Sequence, residues 1–571
     1  MINMDELNKL FFILVIIMCV LSLLNSIIKI YNRIAEKKGK KKLFCFNEDI
    51  EQISDKKYRA LLITILLFGL FIRTWKFGII PAGFNQDGAF SAVDGKALAD
   101  YGTDRYGTFM PAHLYGWGYS QMSSLLSYLI AILVKLFGLN EITARLPLLI
   151  FSMIGATCFS LLMKDSFGKR AGLISAFLVC INPWHFLQSR WALDCNLFAH
   201  FFIIGVYFFN KGLNDKKRYT YISMIFFALS MYSYGVAIYT IPFFLAIACL
   251  YYMIRKKLKI KEVVISALVY LLIAWPFIAT MAINYFKIDT IKLPFVTLQY
   301  FSESVRASDI LFFCNDPKQQ IISNVKSLIN IIIFQKNDWI FNGMPGFATL
   351  YTFTMPFFFL GFIELFRNKE CKSKGLFIIA LVTSIWCGLI TNDVNISRIN
   401  VIYYEIMMFM ALGIYFTIRE IRYIKYIDLC MWLVAGVMLI NTYFGDYAES
   451  VAKEFRYGFG EAVKIVEEMD VDKIYVTADN YNSLDASRAL LMFYTKMDAK
   501  YFQGKTNISN GKELLPYNER YKYYTSVGSI KYRDLEDKKV AYIIKSSEKY
   551  FFDTEKFKIQ EFGNYALVTK K

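Results

Sequence analysis

Charged residues are scarce in this sequence, at 20% of its 571 residues, whereas hydrophobic residues account for 56%. The mean hydropathy is +0.37, and aromatic residues make up 17% of the chain. Soluble globular proteins carry roughly a quarter charged residues, so a soluble protein of this length is excluded. The composition indicates a chain that lies largely in lipid.

Histidine is also rare, with three residues, at positions 113, 185 and 200, so a histidine-rich metal site is excluded. The ten cysteines are scattered, mostly inside apolar stretches, and none has the spacing of a zinc site or a redox motif. We interpret them as small hydrophobic residues. The sequence also lacks a P-loop and a nucleophile elbow, so ATP-driven transport and serine hydrolysis have no support.

Lysine and arginine exceed aspartate and glutamate by 65 to 47, which gives a net charge of +18. Such an excess can indicate nucleic-acid binding, but here the basic residues form short runs between apolar stretches. These runs are typical of the cytoplasmic loops of membrane proteins, so we expect no nucleic-acid partner. The six clearest runs are EKKGKKK, KDSFGKR, NDKKR, RKKLKIK, RNKECKSK and REIRYIK.

About twelve stretches are long and apolar enough to be transmembrane helices, which need roughly 17 to 25 residues. The first follows two acidic residues and lacks a small-residue cleavage site, so we predict a retained span rather than a signal peptide. The stretches lie near residues 10–30, 59–80, 146–163, 171–188, 196–212, 219–235, 236–254, 262–284, 349–366, 375–391, 401–418 and 426–443.

The basic runs also predict the orientation of these spans. Placing all six in the cytoplasm puts five segments outside: residues 81–145, 189–195, 285–348, 392–400 and everything after 444. Residues 121–138 are apolar enough to cross, but crossing would invert every later loop. We therefore predict that they lie at the outer interface of the membrane. Residues 328–334 are apolar but too short to span.

The last 128 residues differ in character, with more charge and shorter apolar runs. Alternating patterns in DKIYVTAD and KKVAYIIKSS predict strands, and YGFGEAVKIVEEM and DASRALLMFYTKM predict helices. The predicted fold is an all-α polytopic bundle of about twelve transmembrane helices with a small extracytoplasmic α/β domain. The predicted division is 1–58 for the first span and its basic loop, 59–443 for the main transmembrane domain, and 444–571 for the outer domain.

Three polar clusters fall at the outer ends of predicted spans, where charged side chains are functional candidates. Asp87 lies in FNQDGAFSAVDGKALADYGTDRYG, Arg190 and Asp194 lie in SRWALDCN, and Arg398 lies in NDVNISRIN. A carboxylate can accept a proton from a hydroxyl, and we choose Asp87 for this role. An arginine can hold a phosphate, and we choose Arg398 first and Arg190 second.

Each of these residues has a structural alternative. Asp87 can cap the helix that follows it. Arg190 and Arg398 can extend toward lipid head groups, and Asp194 can pair with Arg190 four residues earlier. The other acidic residues of the first cluster are more typical of solvated loops and turns; they are Asp94, Asp100 and Asp104.

Further candidates lie close to these clusters in the sequence. His113 can join Asp87 at a divalent ion, although no cofactor is required by the sequence. Tyr115 and Trp117 can stack on sugar rings, or they can belong to an interfacial aromatic belt. Asn196, beside the second cluster, is a weaker candidate for a sugar or acceptor contact.

Two stretches carry a family resemblance: NQDGAF, and FGLNEITARLPLLIFSMIGATCFSLLMKDSFGKRAGLISAFLVCINPWHFLQSRWALDCN. They resemble the GT-C superfamily of membrane glycosyltransferases, and most closely the bacterial branch similar to protein O-mannosyltransferases and the lipid A aminoarabinose transferase. The resemblance is good over about residues 60–255 and loose to about 443. It implies a catalytic pair at Asp87 and Asp194, with a late-span arginine at Arg398. It also implies a polyprenyl-phosphate-linked sugar donor and an inverting transfer to an acceptor outside the membrane.

Two departures from the family pattern matter. Many relatives have a second acidic residue directly after the first, where this chain has Gly88. Many also carry a Lys-Pro stretch before the interfacial helix, where this chain has GWGYSQMSS. The missing lysine shifts the expected phosphate contact toward Arg398 and Arg190.

The predicted function is therefore transfer of a sugar from a lipid-phosphate donor to a protein, an envelope glycan or a lipid. The site and the C-terminal domain are expected on the outer side of the cell membrane. A transporter or flippase of lipid-linked sugars is an alternative, but it predicts ionisable residues in mid-span, and here the charges lie at the outer ends. A non-catalytic scaffold or sensor is a second alternative, and it predicts that Asp87 and Arg398 are dispensable.

Overall fold

The computed structural model describes residues 4–47, 52–116, 121–301, 310–368, 371–478, 484–502, 517–524, 527–530 and 532–571. Most of them are helical. The helices up to residue 444 are α1 (Met4–Lys37), α2 (Asp55–Thr74), α3 (Gln86–Tyr101), α4 (Leu125–Phe137), α5 (Glu141–Phe167), α6 (Lys169–Ile181), α7 (Pro183–Gln188), α8 (Asp194–Asn214), α9 (Arg218–Met231), α10 (Ala237–Ile254), α11 (Ile260–Phe286), α12 (Pro317–Ile332), α13 (Met355–Arg367), α14 (Lys374–Ile390), α15 (Ile402–Glu420) and α16 (Ile424–Phe444).

Six of the described helices are long and apolar enough to cross a membrane by themselves: α1, α5, α10, α11, α15 and α16. Each of the twelve predicted stretches overlaps one of the helices, and 171–188 covers both α6 and α7. These two helices are separate because Asn182 and Pro183 start a new helix there, with the Asn182 side chain accepting a hydrogen bond from the His185 N–H. The prediction of a multi-span helical membrane protein is confirmed, whereas the number twelve stays a prediction.

Helix α4 lies within the segment predicted to rest at the outer interface. Its 13 residues reach about 20 Å, which is shorter than the roughly 30 Å of a bilayer core. One face is buried, with Leu126 and Ile130, and the other exposes Ile132, Leu136 and Phe137. Its interfacial position stays a prediction.

Helices α13 and α15 cross at close range because both have glycine at the crossing point. A Cβ atom on Gly361 would lie 1.8 Å from the Phe409 carbonyl oxygen, and one on Gly413 would lie 2.0 Å from that of Phe357. Close approach of backbones through small residues is a common means of helix association in membranes. The contact helps to place α15 at the centre of the bundle, with most of its side chains buried.

Two short antiparallel strand pairs lie in the first 300 residues: β1 (Leu114–Tyr115) with β2 (Gln121–Met122), and β3 (Ile291–Lys292) with β4 (Thr297–Leu298).

The C-terminal part contains a five-stranded sheet and several helices. The elements are α17 (Asp446–Glu454), α18 (Phe459–Glu467), β5 (Lys473–Thr477), α19 (Leu484–Tyr494), β6 (Tyr521–Tyr524), α20 (Tyr532–Leu535), β7 (Val540–Lys545), β8 (Phe557–Phe562) and β9 (Tyr565–Lys570). The sheet is mixed, with strand order β6-β5-β7-β9-β8. Strand β5 pairs in parallel with β6 and β7, whereas β9 pairs antiparallel with β7 and β8. The predicted strands coincide with β5 and β7, and the predicted helices with α18 and α19.

The sheet domain packs on α3, and the two share a hydrophobic core. Phe84, just before α3, stacks on Phe493 of α19 with ring centroids 4.5 Å apart. The Phe84 N–H donates to the Phe455 carbonyl at 2.7 Å. Near the start of α19, the Ser487 hydroxyl accepts a hydrogen bond from Arg456 at 3.0 Å. The C-terminal domain therefore fixes the position of α3 on the membrane domain.

Candidate active site

Asp87 lies in the first turn of α3, half-buried. The cap of this helix is Asn85, whose side-chain oxygen accepts a hydrogen bond from the Gly88 N–H at 2.6 Å. The alternative that Asp87 caps α3 is therefore wrong, because Asn85 fills that position. The start of a helix carries a partial positive charge, which stabilises an ionised carboxylate placed there.

The start of α3 touches the segment just before Asp194. The Asn85 side-chain amide donates to the Ala192 carbonyl at 3.3 Å. Gly88 faces the same residue: a Cβ atom there would lie 2.7 Å from the Ala192 oxygen and 3.1 Å from its Cβ. An acidic residue at position 88 would displace this contact. The close approach accounts for the glycine that replaces the second acidic residue of many relatives.

Asp194 is the first residue of α8 and is 8% exposed. One of its carboxylate oxygens accepts a hydrogen bond from the Cys195 N–H at 2.8 Å. Asp194 thus lies, like Asp87, at the positive end of a helix. The two acidic helix starts are joined through Ala192.

The third cluster joins the second through Asn400. Its side-chain amide donates to the Cys195 carbonyl, one residue beyond Asp194. Sequence reasoning missed Asn400, although it is the last residue of NDVNISRIN. The three clusters, far apart in the chain, therefore form one connected region.

Arg398 lies in this third segment with its side chain 20% exposed, and its Nη1 is 3.9 Å from Oδ2 of Asp393, which is 75% exposed. The turn around it is held from outside the segment by Asp338, which accepts a hydrogen bond from the Ile396 N–H at 2.6 Å. The Arg398 N–H donates to the Asn395 side chain at 3.0 Å. The Arg398 side chain is therefore partly exposed, with Nη1 itself buried, and these hydrogen bonds hold its backbone in place.

Arg190 is fully buried and is not placed to bind a phosphate. Its Nε donates to the Tyr443 hydroxyl at 2.9 Å. Its two terminal nitrogens donate to five backbone carbonyls at the end of α2 and beyond, those of Ile72, Arg73, Trp75, Lys76 and Ile80. A guanidinium has five N–H donors, so these partners take up its capacity. The prediction of Arg190 as a phosphate contact is corrected: it ties the end of α2 to α16.

A second buried arginine, Arg145, holds the segment that leads into α3. Its guanidinium donates to the Pro81 carbonyl at 3.1 Å and to the Gly83 carbonyl. The group also lies over the Phe84 ring, 5.4 Å from its centroid. Sequence reasoning missed this residue, although it stands in the ITARLP part of the resemblance. Its contacts fix the backbone just before Asn85 and Asp87.

The other charged residues of the first cluster build the loop itself. Asp94 forms a buried ion pair with Arg105 and also accepts the Arg105 N–H at 2.9 Å. Burial raises the pKa of Asp94, and the adjacent guanidinium opposes that rise. Asp104 accepts the N–H groups of Tyr106 and Thr108 at 2.9 and 2.8 Å. These two carboxylates are structural.

His113 lies among aromatic rings, 4.6 Å from the centroid of Phe277. Burial lowers the pKa of His113 to about 4, so its ring is neutral at physiological pH. Within the described residues, no three His, Cys, Asp or Glu side chains are grouped closely enough to hold a metal ion. A metal ion held by His113 with Asp87 stays a prediction.

The predicted sugar contacts are placed differently from one another. Tyr115 is buried, and its ring packs against Tyr106 at 5.5 Å and Phe301 at 4.8 Å. It fills the loop that follows α3 rather than presenting a face to a sugar. Asn196 is buried beside Asp194, where its amide donates to the Gln188 carbonyl at 3.5 Å. Trp117 lies outside the described residues.

Comparison with known proteins identifies part of the chain directly. The family model described as dolichyl-phosphate-mannose-protein mannosyltransferase matches residues 123–279, a segment that includes Asp194. No curated protein sequence matches the chain significantly.

Solved structures match a much larger part. ArnT from Cupriavidus metallidurans bound to undecaprenyl phosphate superposes with a TM-score of 0.53 at 10% identity, covering 90% of this chain and 98% of that chain. The same ArnT in the apo state gives 0.50 at 11% identity with the same coverage. The apo oligosaccharyltransferase of Archaeoglobus fulgidus gives 0.47 at 12% identity, covering 76% of this chain and 64% of that chain.

At 10% and 11% identity, the ArnT matches show a shared fold over nine-tenths of the chain. The family match lies inside that fold, and it includes one of the two acidic helix starts. The predicted superfamily is confirmed. The chain is a membrane glycosyltransferase of the GT-C superfamily, and its residues 123–279 match the family model described as dolichyl-phosphate-mannose-protein mannosyltransferase.

Proposed function

We propose that the protein transfers a sugar from a polyprenyl-phosphate donor to an acceptor outside the membrane. The observation that carries this proposal is the connection of three polar clusters through Ala192 and Asn400. This connection brings together two carboxylates at helix starts, which suit the attack at the anomeric carbon, and a partly exposed arginine side chain, which suits the phosphate. The ArnT of the same fold holds undecaprenyl phosphate, and the matching family is described by dolichyl-phosphate-mannose.

Asp87 is the proposed base. The acceptor hydroxyl oxygen forms a bond to the anomeric carbon, and its proton passes to the carboxylate of Asp87. The bond between the anomeric carbon and the phosphate oxygen breaks, and the carrier leaves as a polyprenyl phosphate. The position of Asp87 in the first turn of α3 keeps the carboxylate ionised before the transfer. Asp194 is the proposed second carboxylate, and its backbone contact orients it beside the reacting centre.

Arg398 is the proposed contact of the carrier phosphate. An arginine stabilises the charge that develops on a departing phosphate and can do so through two parallel hydrogen bonds. The Arg398 side chain is 20% exposed, with Nη1 buried, whereas Arg190 is fully buried and its donors are taken up by carbonyl groups. Arg190 acts instead by holding the loop between α2 and α3, and so by positioning Asp87.

The proposed topology has about twelve spans, with the site and the C-terminal domain outside the cell membrane. The basic runs at the other helix ends support this orientation. The proposed division stays at residues 1–58, 59–443 and 444–571. We also propose a divalent ion held by Asp87 and His113, and removal of metal ions by a chelator tests it.

The decisive experiment measures release of polyprenyl phosphate by purified protein supplied with candidate polyprenyl-phosphate sugars and an extract of envelope acceptors. We expect Asp87→Asn to lower release at least about a hundredfold, the usual size of a lost general base. Asp100→Asn is the matched control, since Asp100 lies on the same helix and pairs with Lys96 at its surface. Equal rates for wild type and Asp87→Asn would refute the assignment of the base.

A further inference from the structure

A polar cavity of about 760 Å³ lies at the ends of three bundle helices, α5, α13 and α15. These ends belong to basic runs of the sequence, and they lie apart from the connected clusters of the active site. The residues that give the cavity its chemistry are Lys164, Ser166, Glu364, Arg367, Tyr415 and Arg419. The cavity is within the size range of small-molecule sites.

One side of the cavity is cationic. Arg367 is exposed, and its guanidinium lies over the Phe416 ring, 5.0 Å from the centroid. Among the described residues, the Ser26 hydroxyl is its one hydrogen-bond acceptor, at 2.7 Å. The remaining N–H donors are therefore available to an anionic group. Lys164 contributes a second cation, 3.4 Å from the carboxylate of Asp165.

The other side holds a buried carboxylate that is only half satisfied. Oε1 of Glu364 accepts a hydrogen bond from Arg419 at 2.8 Å. Oε2 is buried and has no hydrogen-bond partner within the described residues, and the side chain is 3% exposed. A buried acceptor without a partner is costly, so its presence calls for a donor that the protein itself does not supply. A ligand with an N–H group would satisfy it.

We propose that this cavity binds the head group of a phosphatidylethanolamine-type lipid. The phosphate lies against Arg367 and Lys164, and the primary ammonium donates to Oε2 of Glu364. A glycerol head group offers Glu364 only neutral hydroxyl donors, and a trimethylated ammonium cannot donate a hydrogen bond to it, whereas a primary ammonium offers a charged N–H donor. The two signs of charge in one cavity therefore select a zwitterion with N–H donors.

The surroundings favour a lipid over a free phosphoethanolamine compound. The α13 helix that ends at the cavity exposes large apolar side chains along its outer face: Phe359, Phe362, Ile363 and Phe366. Such a face is covered by acyl chains in a membrane. A head group in the cavity would place its acyl chains along this face.

The test uses the full chain, purified in detergent and stripped of lipid, with binding followed by native mass spectrometry and thermal shift. The probes are short-chain phosphatidylethanolamine, phosphatidylcholine and phosphatidylglycerol, with glycerophosphoethanolamine and inorganic phosphate as soluble probes. We expect phosphatidylethanolamine to bind about tenfold more tightly than the other two lipids, the equivalent of one good charge-assisted contact. The soluble probes should bind far more weakly.

Two variants assign the preference to its residues. Glu364→Gln should abolish discrimination between ethanolamine and choline lipids, and Arg367→Gln should weaken both through the phosphate. Lys164→Gln, at the partly exposed edge of the cavity, gives an independent test if Glu364→Gln disturbs folding by releasing Arg419. Lys261→Gln, a solvent-exposed lysine in another basic run, is the matched control and should change nothing.

Similar binding of all three lipids by wild type would overturn the proposal. So would a preference for phosphatidylethanolamine that survives in Glu364→Gln, or an affinity for all three lipids that Lys164→Gln leaves unchanged. Binding of glycerophosphoethanolamine as tight as that of the lipid would overturn the lipid occupant. Binding of inorganic phosphate alone would overturn the role of Glu364.

Discussion

Replacing His113 by phenylalanine should make the protein less sensitive to acid. His113 is 5% exposed and packs on Phe277, and burial lowers its pKa to about 4 from an ordinary value near 6.5. The folded state therefore binds the proton more weakly than the unfolded state. The stability contributed by the neutral ring is complete above about pH 6.5, and it is lost as the pH falls toward 4.

The size of the effect follows from that difference in pKa. A fall in the pKa of His113 from 6.5 to about 4 lowers the free energy of unfolding by about 3 kcal/mol at a pH well below 4. At pH 5 the loss is about 2 kcal/mol. Phenylalanine keeps a ring against Phe277 and removes Nδ1, which is buried without a hydrogen-bond partner within the described residues. The variant should therefore match or exceed wild-type stability at pH 7.5.

The assay is thermal unfolding of both proteins in the same detergent between pH 7.5 and pH 5, with and without a chelator. Other groups titrate in this range too, so the informative quantity is the difference between the two proteins at each pH. Wild type should lose a few degrees more than His113→Phe on going to pH 5. Parallel curves would refute the reasoning. A drop in the melting temperature of wild type alone on chelation at pH 7.5 would instead assign His113 to a metal ion.

Four further variants, at three positions, test the connections within the site. Gly88→Asp should lower sugar transfer and cost about 1 to 3 kcal/mol of stability, since even its Cβ would press on Ala192; unchanged rates and melting would contradict the close approach. Arg190→Lys should destabilise by at least about 3 kcal/mol in thermal unfolding, because an ammonium cannot replace the guanidinium among its carbonyl partners; a neutral effect would show that these bonds contribute little. Asn400→Ala should lower kcat more than it raises KM. Asn400→Asp should have a similarly low kcat, because a carboxylate cannot donate a hydrogen bond to the Cys195 carbonyl. Full activity of the alanine variant would show that Asn400 does not belong to the site.

Apolar length is what made the helices of the bundle predictable. A stretch such as 262–284 has no alternative to a helix in lipid, because every backbone group must be satisfied within the segment. Buried strands β5 and β7 were predictable for a related reason, since their apolar runs are short and bounded by polar residues. The β8–β9 hairpin was missed because β8 is largely exposed and carries a polar pattern. Its turn did carry a signal, Gly563 and Asn564, with the glycine in a left-handed conformation.

The candidate site was less predictable from the sequence. The predicted topology put Asp87 and Asp194 on one side of the membrane, and the family resemblance made them a pair. The structural role of Arg190 was not predictable, because most of its partners are main-chain carbonyls. Every residue has such a group, so these contacts leave no pattern in the sequence. Nor does the sequence show that Asn85, rather than Asp87, caps α3, since both residue types are good caps two positions apart.

The docking of α19 on α3 has a consequence for engineering this enzyme. Because one hydrophobic core serves both the C-terminal sheet and the helix that carries Asp87, deleting the sheet would expose an apolar surface on α3 and leave that helix without support. Replacing the C-terminal domain by that of a relative would require a matching α3, because the two elements pack on each other.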